Sequence, residues 1–173
     1  MDDAGELARW SSGRMWLICL PEFRGRRRVQ WQPRRLTELY FLDEATGLAA
    51  GHRPCGECRN RDYRAFKAAW LVARPEDRAT VADIDARLHA DRLRARGVRR
   101  TWRDVSGRLP DGAMVRHEAT AHLVLGKRLR TWTPAGHADS IPYEPDQELA
   151  VLTPRCTVAT LLAGYRPVLH PTA

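Results

Sequence analysis

Ala45-Thr-Gly-Leu-Ala-Ala-Gly-His-Arg-Pro-Cys-Gly-Glu-Cys-Arg59 puts a helix, a stop and a cysteine pair into one short stretch. The helix is expected from Asp43 or Glu44 to Ala50. Gly51 closes it, because glycine accepts the left-handed conformation that ends helices. Cys55 and Cys58 follow, with Gly56 supplying a tight turn between them. A two-residue gap lets both thiolates point at one ion, at about 2.3 Å each for zinc. Arg53 and Arg59 on either side favour the thiolate form. A helix stop precedes the dithiol, whereas a redox dithiol would open a helix after a strand, so metal binding is the better reading.

One cysteine pair is half of a tetrahedral site. The chain has two further cysteines, Cys19 and Cys156. Cys19 is the best third ligand, because it lies in the apolar run Met15 to Leu20, just before a turn at Pro21 to Gly25. For the fourth position the candidates are Cys156, His52 and a water or substrate. The expected cofactor is Zn2+.

Outward from the motif, both flanks mix strand and helix signals. On the N-terminal side, Met15 to Leu20 reads as a strand. Arg26 to Trp31 would return as its hairpin partner, and Thr37 to Leu42 is a third apolar run. On the C-terminal side, Asp62 to Ala73 is helical, with Tyr63, Phe66 and Trp70 on one face. Thr80 and Asp83 can cap a further helix running to Arg96, with Ile84 and Leu88 in its buried stripe. Beyond the turn at Leu109 to Gly112 the pattern changes to short strands: Ala113 to Arg116, Ala121 to Leu125, Arg128 to Trp132 and Leu149 to Leu152. Gly126-Lys127 suits a two-residue hairpin turn. Thr153-Pro154 is expected to start a last helix, with Thr153 as its cap, ending at Gly164. The fold class that follows is α+β, with a metal knuckle and helices in the first half and a small antiparallel sheet with a closing helix in the second. The segments expected are 1–73, 74–108 and 109–173, which can fuse into one domain.

The 173 residues carry a formal net charge of +8 and a sequence pI of about 10.0. Lysine occurs only at Lys67 and Lys127, so arginine supplies nearly all of the positive charge. Arginine presents a planar fork that grips phosphate at two points, and a net charge of this size favours polyanions. An arginine-rich coding habit is the alternative explanation of the total, so placement counts for more than number. The candidate phosphate contacts are Arg26, Arg27 and Arg28 on the basic hairpin, Arg53 and Arg59 at the knuckle, and Arg92, Arg96 and Arg100 at the end of the basic helix. Trp31, Trp102 and Trp132 lie near arginines, a pairing that can hold single strands. For catalysis the candidates are His89, beside Asp91 and Arg92, and the acidic residues Asp43, Glu44 and Glu38 before the knuckle, Glu44 foremost. No apolar run is long enough to span a membrane, and the acidic, polar start lacks a secretory signal. A cytoplasmic location is expected.

Leu39 to Arg59 resembles the second half of the metal-binding domain of Ada, the methylphosphotriester repair family. There an aromatic strand and an Ala-rich helix lead into Gly-aromatic-Arg-Pro-Cys-x-x-Cys-Arg. The resemblance implies that Cys55 and Cys58 bind zinc with two further cysteines, that the domain binds DNA, and that Arg53 and Arg59 lie near phosphate. This chain departs from the family upstream. Where the family has two cysteines, one of them the methyl acceptor, it has Cys19 alone, with Leu20 beside it. The downstream helix-turn-helix has no visible counterpart. The whole chain also resembles a family of bacterial proteins with the Gly-His-Arg-Pro-Cys motif, which implies no activity. The reading that results is a zinc-containing DNA-binding protein acting in DNA repair or in recognition of modified DNA. Two other readings stay open: an enzyme acting on a damaged or modified nucleic-acid base, and a non-enzymatic protein-interaction module.

Overall fold

A computed structural model describes residues 13–27, 29–30, 39–76, 79–94 and 97–173. Arg28, Trp31, Glu38 and Arg96 lie outside these residues. The chain begins with β1 (Leu17–Ile18) and a hairpin of β2 (Glu22–Phe23) and β3 (Arg26–Arg27). It continues with α1 (Glu44–Ala49), β4 (Arg53–Pro54), α2 (Asn60–Ala73) and α3 (Val81–Arg92). The second half holds β5 (Trp102–Val105), β6 (Met114–His117), β7 (Thr120–Leu125), β8 (Arg128–Thr133), β9 (Gly136–Pro142), β10 (Glu148–Val151) and α4 (Arg155–Leu162). The fold is α+β. One six-stranded antiparallel sheet, ordered β5-β10-β6-β7-β8-β9, packs with the helices.

Local chemistry accounts for most of these elements. Asp43 caps α1, its carboxylate accepting from the Thr46 backbone N–H at 2.8 Å. Thr80 and Asp83 form a reciprocal capping box at the start of α3, which satisfies two otherwise orphaned N–H groups. Gly126 and Lys127 both adopt φ 58, the left-handed pair that matches the twist of a β7–β8 hairpin.

Four expectations need correction. The hairpin pairs β2 with β3 through Arg24 and Gly25, so the Met15–Leu20 strand is not its partner. α3 stops at Arg92 rather than Arg96, because Leu93 turns extended and pairs with Arg99. Thr153 does not cap α4; its hydroxyl accepts from the Met114 N–H at 2.8 Å, and Pro154 holds the N-cap position. The N–H of Cys156 in the first turn of α4 is instead taken by the Asp91 carboxylate at 2.9 Å. Finally, β5 and β9 add two strands to the four foreseen for the main sheet, and β2 and β4 are short strands that were not foreseen.

One buried cluster draws on all three segments distinguished in the sequence. It joins Ile18, Leu48, Phe66 and Trp70 to Ile84 and Leu88, and these to Val115, Val124, Val151 and Leu161. Helices and sheet therefore share a core, and the knuckle sits on its edge. Among the described residues no helix is long and apolar enough to cross a membrane.

Candidate metal centre

The first two ligand-bearing segments are brought together by a very short ladder. β1 and β4 run parallel, with Leu17 opposite Arg53 and Ile18 opposite Pro54. The next pair in that register is Cys19 and Cys55. The Cys55 N–H donates to the Ile18 carbonyl at 3.1 Å, which fixes the alignment where the strands end. The turn after β4 then carries Cys58 back to the same place. The sulfur atoms of Cys19, Cys55 and Cys58 all lie within 4.8 Å of one another. A tetrahedral zinc with bonds of about 2.3 Å needs sulfur–sulfur edges of about 3.8 Å, which lies within that limit. The three cysteines can hold a metal ion.

Backbone donors are already aimed at two of the sulfurs. The Leu20 N–H lies 3.3 Å from the Cys58 sulfur, and the Glu57 N–H lies 3.4 Å from that of Cys55. Burial works against a charge on Cys55. The backbone N–H groups of Cys58 and Glu57, and the neighbouring thiols, outweigh burial and lower its pKa. Cys19 moves the other way. Burial, then the charges of Cys55 and Cys58, push its pKa up to about 12. Three thiolates this close repel one another, and a bound cation removes that penalty.

Neither candidate for a fourth protein ligand joins them. His52 is buried, its ring 5.0 Å from that of Trp16 and 4.7 Å from that of Phe41. Burial and the charge of Arg92 drop its pKa to about 4, so it is a neutral core imidazole. Cys156 is 1% exposed in the core, and burial beside Asp91 raises its pKa.

A cleft of about 620 Å3 opens beside the cluster. Cys19 and Cys58 stand on its wall, with Tyr40, Phe41 and Leu42, the start of α2, and the C-terminal segment around His170. Its floor is the start of α1. Glu44 there is a buried anchor. Its carboxylate takes the Tyr165 hydroxyl at 2.5 Å, the Val168 N–H at 2.8 Å and the Arg59 guanidinium at 3.1 Å. His89, the other catalytic candidate, does not line the cleft; its Nδ1 lies 3.0 Å from the Arg92 guanidinium. Burial, Arg92 and Arg14 lower the His89 pKa, so the ring accepts from Arg92 in its neutral form.

The arginines divide into two sets. Arg26, Arg27 and Arg100 are exposed. Arg26 meets Glu57 of the knuckle at 3.2 Å, an ion pair open to solvent. Arg53, Arg59 and Arg92 are not free for phosphate, and here the sequence reading is corrected. Arg53 forks onto Asp85 at 2.7 and 2.8 Å inside the protein. Arg59 bridges Glu44 and Asp62. Arg92 is fully buried, 3.7 Å from the centre of the Trp16 ring, and donates to the Gly51 and Arg14 carbonyls. Two side chains that sequence reasoning missed, Asp85 and Trp16, prove central to this scaffold, and neither left a local signal. Asp43, an acidic candidate before the knuckle, caps α1 and holds His137.

Compared with protein-family models, characterised proteins and solved structures, the chain matches none.

Proposed function

We propose that Cys19, Cys55 and Cys58 hold zinc, and that the protein is a zinc-containing DNA-binding protein serving DNA repair or the recognition of modified DNA. The three-cysteine cluster carries this reading. All-sulfur donor sets suit zinc among the common divalent ions. The DNA half draws on charge placement and on the Ada resemblance at Leu39 to Arg59. The exposed Arg26 and Arg27 lie on a hairpin tied to the knuckle, and Arg61 and Arg64 are exposed on the first turns of α2. Together they put a basic surface around the metal site, suited to a phosphate backbone.

Metal content of purified protein tests the first half. About one zinc per chain is expected, lost in Cys55→Ser and Cys19→Ser and kept in Cys156→Ser. Metal-free wild type would remove the zinc reading. Duplex DNA binding by fluorescence anisotropy at several salt concentrations tests the second half. Affinity should fall steeply with salt, and Arg26→Gln and Arg27→Gln should each flatten the slope by about 0.9. An affinity indifferent to salt would sink it.

The cleft supports a second reading, an enzyme acting on a damaged or modified base. Its volume accommodates a single base turned out of a strand. That reading predicts a chemical change in lesion-bearing oligonucleotides, visible by mass spectrometry. No change across a panel of lesions counts against it.

A further inference from the structure

We infer that the fourth coordination position of the three-cysteine site opens on the cleft and is exchangeable, holding water until a small monodentate anion replaces it. This rests on the metal half of the proposed function and is independent of the DNA half.

All four cysteines and all six histidines of the chain lie among the described residues, and three cysteines alone gather. The remaining soft donors are committed elsewhere. Cys156 and His52 are packed in the interior. His137 is buried on Asp43 at 2.9 Å, His117 and His122 face each other on the sheet, and His89 sits on Arg92. His170 lines the cleft, yet it stands outside the cluster with its Nδ1 on the Thr172 hydroxyl at 2.9 Å.

The carboxylates on the cleft wall are spent as well. Asp43 accepts from Thr46, His137 and the His170 N–H. Glu44 accepts from Tyr165, Val168 and Arg59, and Asp62 pairs with Arg59 at 2.8 Å. Among the described residues no carboxylate is left to complete a tetrahedron.

The site is also not sealed. Cys19 and Cys58 are only half-buried and line a space far larger than one water. Arg61, exposed on the same wall and without an ion pair among the described residues, favours an anion there. Zinc held by three protein ligands keeps its remaining position for water or substrate, while closed four-ligand sites are structural. Zinc bound in this way acidifies its water and polarises whatever oxygen replaces it.

The test uses the full chain loaded with cobalt(II), whose visible d–d bands report coordination and whose thiolate charge-transfer band reports the cysteines. Azide is the probe; it enters as water leaves. The expected result is a saturable shift of the d–d bands with the thiolate band retained, the same in His170→Ala. A tetrahedral cobalt spectrum that azide leaves unmoved would overturn the inference while leaving the metal site standing. So would a spectrum altered by His170→Ala alone, which would make His170 the fourth ligand. Failure to take up cobalt would instead remove the metal site itself.

Discussion

Replacing Asp85 with alanine should destabilise the protein severely, for a reason that reaches the metal centre. The carboxylate receives two parallel guanidinium bonds from Arg53, at 2.7 and 2.8 Å, and the two side chains are 9% and 3% exposed. Water cannot take over at that depth. Removing one partner leaves an uncompensated buried charge, which costs about 3–5 kcal/mol. In a protein of this size each kcal/mol moves Tm by about 2–4 °C, so a fall of about 6–20 °C is expected. Urea denaturation gives the free energy directly, provided the slope m is unchanged. The double variant Arg53→Met/Asp85→Leu should recover most of the loss, because a buried pair exchanged for apolar side chains is often near neutral. The single variant should also weaken metal binding, since Arg53 stands two positions before Cys55 in the strand that aligns it with Cys19. A cost below about 1 kcal/mol would mean the pair behaves like an exposed one, and the anchoring role would be refuted.

Three other outcomes are expected. His52 is neutral in the fold, and its pKa near 4 lies below the unfolded value of 6.5. The unfolded chain therefore binds the proton first as pH falls, and stability present above pH 6.5 is lost on the way down to about 4. Wild type should lose about 2 kcal/mol more than His52→Phe between about pH 7.5 and pH 5, by urea denaturation; equal losses would refute the buried neutral ring. In Gly51→Ala the new Cβ would meet the Arg92 Cδ at 2.6 Å on a backbone held at φ +82, so about 2–4 kcal/mol should be lost. A denaturation midpoint matching wild type would show that Arg92 yields easily. Chelation should lower the Tm of wild type and leave that of Cys55→Ser unmoved, because metal affinity in such a site is folding energy; an equal response of both proteins would detach the metal from these cysteines.

The parts legible in sequence were those written in local chemistry. Asp43 at a helix start, Thr80 with Asp83, and Gly126-Lys127 each carry their geometry in one or two residues, and their elements were found. β9 was invisible because Gly136-His-Ala-Asp-Ser-Ile-Pro142 is an edge strand with little apolar alternation to see. The shortness of α3 was hidden too, since what ends it is a bridge from Leu93 to Arg99, a contact without a local signature. Cys19 was readable as the third member of the cysteine cluster from its place at the end of an apolar run. What could not be read was the partner of each arginine. Arg53 finds Asp85, and Arg92 finds the ring of Trp16, across separations that no spacing rule encodes.

That last point changes the meaning of the Gly51-His-Arg-Pro-Cys55 motif. Read as a string, it offers an imidazole and a guanidinium beside a metal-binding cysteine, and both look like chemistry. In the fold each faces inward. The Gly51 carbonyl receives Arg92, His52 lies between Trp16 and Phe41, Arg53 forks onto Asp85, and Pro54 completes the ladder opposite Ile18. A ladder of two residue pairs has too few hydrogen bonds to hold its own register. Four consecutive side-chain or carbonyl anchors fix it instead, and a slip of one residue would swing Cys55 away from Cys19. The motif is thus a positioning device for one thiolate. Among the described residues the half-buried Cys19 and Cys58, with Arg61 on the cleft wall, are placed to meet a ligand.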